Sequence, residues 1–338
     1  MRSMSYRSQR RLRKALKIGL ICLACVVCLL LILAKYLGRY VVYADGRAYF
    51  DFKRDTSQTV EVPSTPNPAD AAPPDVPLET VDAPVKSRDA AEVDGYYIDL
   101  AMLQEPVKVL AALKELPEPC TVMIDLKGGN GNFYYSTDIV DAALANIDTD
   151  TVDEIIDYLR TNGFSMIARV KAFEDSRFAE RNPDSAIKTQ GGSLLVYNKF
   201  YWLNPDNDSV VAYLEQIVRD LSARGFREIV FDDFYFPQAN QAVYTSEKNR
   251  SVLMSDIALT LSNHFSTSGI IISFGDPPRD IAPAASSHVF ISDVGGAKVT
   301  SVVASFVNLE VPEQQLVFLT ASNDTRFDNF QRLRPLRG

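Results

Sequence analysis

SVVAYLEQIVRDLSARGFREIVFDDFYFP, residues 209–237, carries in one run the pattern that sets the fold. Residues 209–224 read as an amphipathic helix that Asp208 or Ser209 can cap, and Gly225 follows in the stop position. Residues 228–236 then read as an apolar, β-forming strand with two adjacent acids, Asp232 and Asp233, near its end. A helix feeding a strand through a short turn is half of a β-α-β unit.

The same rhythm extends outward on both sides. Strands are expected at 95–100, 121–127, 165–173, 228–236, 270–276, 288–294 and 316–321, with helices at 107–116, 151–162, 209–224 and 247–265. Alternation of this kind predicts right-handed crossovers and a parallel sheet. About 245 residues suit a single (β/α)8 TIM-type barrel. A doubly wound open sheet is the alternative, and no Gly-x-Gly-x-x-Gly loop follows the first strand to favour it. Only seven strands are legible and about seventeen residues follow the last, so the eighth strand is expected to be missing, irregular or hidden within these boundaries.

Upstream of the barrel the chain changes character three times. Residues 1–17 hold seven basic residues and no acid, which leaves the remainder at −15 against a chain total of −8. Residues 18–34, IGLICLACVVCLLLILA, carry no charge, and the apolar stretch runs on to residue 37. A spanning helix needs ~20 apolar residues, within a range of ~17–25. The basic tail before it predicts, by the positive-inside rule, an N-terminus in the cytoplasm and a C-terminal domain outside the cell membrane. A cleavable signal peptide is the rival reading, since Val42-Tyr43-Ala44 resembles a cleavage site, but that site lies ten residues beyond the run. The hydrophobic run would contact the lipid bilayer and hold Cys22, Cys25 and Cys28 as small apolar groups, leaving Cys120 alone in the body of the chain. Two apolar runs around Asp45-Gly46 in residues 38–54 read as a membrane-proximal hairpin. Seven of the eighteen prolines fall between 63 and 84, so residues 55–92 read as an extended linker and residues 93–338 as the folded domain.

Composition excludes several chemistries. An acidic body argues against a nucleic-acid partner. His264 and His288 are the only histidines and lack metal-ligand spacing, so no metal is expected. No phosphate loop and no Gly-x-Ser-x-Gly elbow occur, and no cofactor is expected. In a barrel, function belongs at the C-terminal ends of the strands. Those ends carry Asp125 and Lys127, Arg169 and Lys171, Asp232 and Asp233, Asp276, and Asp293. Converging carboxylates are what glycoside hydrolysis needs: one protonated to release the leaving oxygen, one ionised to attack or to activate water. Nearby cations would keep one acid ionised while burial raises another. Aromatic residues including Trp202 and Tyr235 follow in the loops, where apolar sugar faces could stack. Asp232 is the leading catalytic candidate, with Asp125, Asp276 or Asp293 as its partner; Lys127, Arg169, Asp233 and Tyr235 are expected to contact substrate.

Four stretches resemble a bacterial glycoside-hydrolase-type family built on a TIM barrel. They are VMIDLKGGNGNFYYS (122–136), with its Asp-x-Lys pair; IARVKAFED (167–175); Trp202-Leu203-Asn204-Pro205; and GFREIVFDDFYFP (225–237). The resemblance implies site roles for Asp125, Lys127, Arg169, Asp175, Trp202, Asn204 and Asp232. This chain departs from the family pattern at Tyr235, where an arginine is usual. It departs again at FISDVGG (290–296), in place of a Pro-Met-x-Tyr-Pro-Ser run. An external domain on a stalk points to a cell-envelope, peptidoglycan-type or extracellular polysaccharide as the partner. The rival readings are a barrel that binds such a glycan without cutting it, and an interaction module for envelope proteins.

Overall fold

The computed structural model describes residues 92–336 apart from 141, 245–247, 282, 285 and 286, together with the backbone of 41–44 and 47–50. The basic tail, the hydrophobic run at 18–37 and residues 55–91 of the linker lie outside the described residues. Among the described residues no helix is long and apolar enough to cross a membrane. Val41–Ala44 and Arg47–Phe50 pair antiparallel, with Ala44 opposite Arg47; this register brackets the Asp45-Gly46 dipeptide.

The folded domain is a closed barrel of eight parallel strands. In chain order they are β1 (Asp94–Ile98), β2 (Thr121–Lys127), β3 (Ser165–Lys171), β4 (Glu228–Asp232), β5 (Ile271–Gly275), β6 (Val289–Ser292), β7 (Leu316–Leu319) and β8 (Gln331–Pro335). β8 pairs β7 on one side and β1 on the other, and β1 pairs β2, which closes the ring. The barrel is therefore complete: the eighth strand is neither missing nor irregular but lies hidden in the last residues of the chain. QRLRP escaped notice because it is polar and ends in proline, with only Leu333 buried.

Helices α1 (Pro106–Lys114), α2 (Thr149–Thr161), α3 (Asp208–Ala223) and α4 (Arg250–Ser266) cover the outside of the first half-barrel. Asn207, not Asp208 or Ser209, caps α3 by accepting from the Ser209 amide. Gly225, at φ 103°, makes the left-handed turn that ends the segment. After β5 the crossovers shrink to short pieces, Val299–Val303 and Pro312–Gln315 being the longest helices.

Residues two apart on a strand share a face, and this periodicity stacks the barrel interior in layers. Met123, Ile167, Val230, Phe290, Val317 and Leu333 form one buried apolar cluster. One step toward the C-terminal mouth, the same faces of β2, β3, β4 and β6 carry Asp125, Arg169, Asp232 and Ser292. One step the other way, Glu228, Ser273 and His288 bond to one another and are buried. The apolar layer is thus the floor on which a polar mouth is built.

Candidate active site

At the C-terminal mouth lies a cavity of about 360 Å³, lined by Tyr97, Asp99, Arg169, Lys171, Asp232, Asp233, Asp276, Ser292, Asp293 and Leu319. Six of these residues are among those expected from the sequence: Arg169, Lys171, Asp232, Asp233, Asp276 and Asp293. They reach the cavity from four different strand ends. Asp233, Asp276 and Asp293 all follow strands in left-handed backbone, at φ 51°, 43° and 56°. Such conformations are uncommon outside glycine, though Asp tolerates them better than most residues. They collect where surrounding structure enforces them, active sites above all. Here they end β4, β5 and β6 abruptly and fan the carboxylates around one opening.

Charge is arranged in opposed pairs. Arg169 grips Asp125 bidentately, Nε to Oδ1 at 2.6 Å and Nη2 to Oδ2 at 2.8 Å, and its Nη1 lies 3.5 Å from Ser292 Oγ. Burial pushes the Asp125 carboxyl up from the ordinary range against the pull of Arg169. Burial would lower the Arg169 guanidinium, but Asp125 and Asp232 outweigh it and raise this group above its own ordinary value. Asp125 is thus the anchor of Arg169 and does not line the cavity, whereas Asp276 and Asp293, the other partners expected for Asp232, do. Lys171 Nζ bonds Asp232 Oδ2 at 2.8 Å and also Asp233. Burial raises Asp232, but Arg169 and Lys171 more than offset it and leave this carboxyl below the usual range. Asp233 goes the other way, raised by burial and by Asp232.

Two further acids, Asp276 and Glu174, are raised well above the ordinary carboxylate range. Asp276 is pushed up to about 6, first by burial and then by Asp232, although it accepts from the Ser292 amide at 3.4 Å. Glu174, only 4% exposed, rises to about 7 through burial and the nearby Asp233 charge. The sequence pattern gives no sign of Glu174, whose environment is set by Asp233 and Asp232 on the neighbouring strand end together with Lys171. Gly275 matters for a related reason: a Cβ there would lie 2.3 Å from Asp232 Oδ1. The absent side chain on β5 is what gives the β4 carboxylate its place.

Four other expected residues serve the scaffold. Lys127 and Asp175 pair at 2.9 Å with both side chains 0% exposed, so neither contacts substrate as expected. The cause is a β-bulge in β2, where Asp125 aligns with Arg169 but Lys127 with Val170. The extra residue turns Lys127 away from the mouth toward Tyr213 on α3 and the Lys171 carbonyl. Trp202 is 0% exposed, its Nε1 donating to the Tyr197 carbonyl, its ring packed on Tyr197 and Tyr235. Asn204 closes a turn by accepting from the Asp206 amide. Tyr235 lies outside the acidic cavity, on the rim of a neighbouring depression that also touches Asp276.

A family model described as "Putative glycosyl hydrolase domain" matches residues 99–272, over half of the chain. The chain belongs to that family. The matched span runs from the end of β1 into β5 and includes Asp125, Arg169, Lys171, Asp232 and Asp233, while Asp276 and Asp293 fall beyond it. No curated protein matches the chain. Among solved structures, TtGalA, an α-galactosidase from Thermus thermophilus, is 13% identical with a TM-score of 0.49, over 73% of this chain and 58% of that one. The GH20 β-N-acetylhexosaminidase from Streptomyces coelicolor A3(2) is 12% identical with a TM-score of 0.45, over 69% of this chain and 48% of that one. A hypothetical protein from Ruminiclostridium thermocellum is 20% identical with a TM-score of 0.46, over 53% of this chain and 96% of that one. At these scores, nothing about the chemistry of this family member follows from the likeness. The chain spans roughly half the length of each of the two enzymes.

Proposed function

We propose that this chain is a glycoside hydrolase of the cell envelope, cutting an envelope or extracellular polysaccharide with Asp232 and Asp276. One observation carries the reading. A carboxylate held below its ordinary range and a carboxyl pushed up to about 6 face the same open cavity. Separating two acids in this way assigns them the two roles that glycosidic cleavage requires. Asp276, protonated, donates its proton to the glycosidic oxygen as the bond to the anomeric carbon breaks. Asp232, ionised, attacks that carbon or takes a proton from the water that does. Arg169 and Lys171 hold the charge on Asp232 in the resting site.

The pH dependence follows from the directions of the shifts. Cleavage needs Asp276 protonated, so it falls as pH rises through about 6. It also needs Asp232 ionised, so it falls on the acid side only below the usual carboxylate range. Asp276→Asn should lower hydrolysis of an unactivated glycan by about 10²–10⁴-fold and remove the upper limb of the profile. An aryl glycoside with an acidic phenol leaving group, which departs without a proton, should be cleaved almost as before. Equal losses on both substrates would take the acid role from Asp276. Glycan held by the unaltered chain with no reducing ends released would replace cleavage by binding.

The location is part of the proposal. Residues 18–37 supply the apolar length for one span, and seven basic residues precede it without an acid. The Pro-rich segment 55–92 then spaces the barrel, residues 93–338, from the bilayer. The full chain should stay in the membrane pellet after an alkaline carbonate wash and leave it only with detergent. Protease added outside intact spheroplasts should digest the barrel. Release by carbonate alone would mean that no span holds it.

A further inference from the structure

We infer that the glycan site continues past the catalytic cavity into a second groove, where Arg250 and Arg279 bind an acidic group on the polymer. This inference rests on the glycan reading above and adds the class of sugar. A depression of about 640 Å³ is lined by Tyr235, Phe236, Arg250, Asp276, Pro277 and Arg279, among others. Asp276 lines both hollows, so a chain of sugars cut beside it passes directly from one into the other. Two consecutive prolines, Pro277 and Pro278, form part of the rim and fix its backbone in advance of binding.

Both guanidinium groups are exposed, yet each is held in place by rings. Arg250 lies 4.4 Å from the Phe236 centroid and 5.2 Å from that of Tyr244. Arg279 lies 4.3 Å from the Phe306 centroid. Among the described residues neither forms an ion pair with a carboxylate, nor does Arg227 at the far end of β4, whereas Arg160, Arg169, Arg177, Arg219, Arg224, Arg326, Arg332 and Arg334 all do. In a chain with 43 acidic residues against 35 basic ones, two unpaired guanidiniums beside an acidic cavity stand out. Stacking on a ring fixes the plane of the fork and leaves its N–H edges to accept a planar carboxylate or a phosphate. Asp276 and Asp280 also line the groove, so the attraction for an acidic ligand comes from the two guanidinium forks themselves and not from a net positive field.

The test uses the full chain in detergent, carrying Asp232→Asn to prevent turnover. Three probes are compared: polygalacturonate, its fully methyl-esterified form, and a poly(glycerol phosphate) polymer. An acidic probe should bind roughly tenfold or more tightly than the methyl ester, the range expected for charge-assisted hydrogen bonds, and lose that margin in high salt. Arg250→Gln and Arg279→Gln should each erase most of the margin while leaving methyl-ester binding unchanged, and that unchanged binding shows the variants to be folded. Whichever acidic probe shows the arginine dependence identifies a carboxylate or a phosphate as the group bound. Equal binding of acidic and esterified polymers, or a margin that survives both substitutions, overturns the inference while cleavage of a neutral aryl glycoside by the unaltered chain still upholds the enzyme. No binding of any probe together with no such cleavage sinks both.

Discussion

Asp232→Asn should abolish glycan cleavage, by about a thousandfold or more, while the barrel keeps its fold. The substitution keeps the shape of the side chain and removes only its charge. It therefore leaves the space provided by Gly275, where any Cβ would lie 2.3 Å from Oδ1, filled as before. Lys171 retains Asp233 as a partner, and Arg169 retains its bidentate Asp125, so no buried cation is orphaned. What disappears is the one carboxylate that two cations hold below the ordinary range at the cavity surface. The contrast is Asp233→Asn, where Asn tolerates the left-handed backbone at φ 51° and the acid replaced is one that burial and Asp232 raise, where Asp232 itself is lowered. That variant should lose far less. Reducing-end release and far-ultraviolet circular dichroism together decide the matter. Full activity in Asp232→Asn would exclude it from the chemistry, and a collapsed spectrum would show that it serves the fold instead.

The barrel was legible where the chain obeys its own periodicity. Residues 121–127 were expected as a strand, and β2 has those bounds because every position in it is apolar or buried. The strand endings were harder to read. Phe234, Tyr235 and Phe236 favour strands, so the pattern predicts a strand from 228 to 236, yet β4 stops at Asp232 because Asp233 turns left-handed. The same turn recurs at Asp276 and Asp293, and it decides which carboxylates face the cavity. Nothing in a single sequence marks an aspartate for that conformation. The β2 bulge is hidden for a similar reason: no glycine or proline announces it, and the two-residue spacing of Asp125 and Lys127 reads as a shared face. Glu174 and the completing strand β8 depend on contacts made across the ring, Glu174 with Asp233 and Leu333 with the interior cluster. Local pattern carries no trace of either.

The largest effect on stability should come from Asp175→Ala, a residue outside the cavity. Its Oδ2 receives Lys127 Nζ at 2.9 Å and the Tyr213 hydroxyl at 2.9 Å, while Oδ1 receives the Phe178 amide at 2.8 Å as the cap of Ser176–Arg181. Removing it strands a fully buried ammonium whose other hydrogen bond is the Lys171 carbonyl. Breaking a buried pair from one side costs about 3–5 kcal/mol, with roughly 1 kcal/mol more for the cap. For a domain of this size each kcal/mol moves the melting temperature by about 2–4 °C, so a fall of about 10–20 °C is expected in a thermal melt of the full chain. The pair itself need not be stabilising, since replacing both members by apolar groups of similar volume is often neutral or better. Asp175→Leu combined with Lys127→Met should therefore recover much of what Asp175→Ala loses, the cap excepted. An unchanged melt for Asp175→Ala would mean that Lys127 finds water or another carboxylate once the pair is gone, and that the buried pair does not hold the floor of the site. Recovery of stability in the double variant, with cleavage intact, would separate scaffold from chemistry. Loss of cleavage in that stable variant would show that Lys127, through the Lys171 carbonyl, also sets the position of the lysine that clamps Asp232.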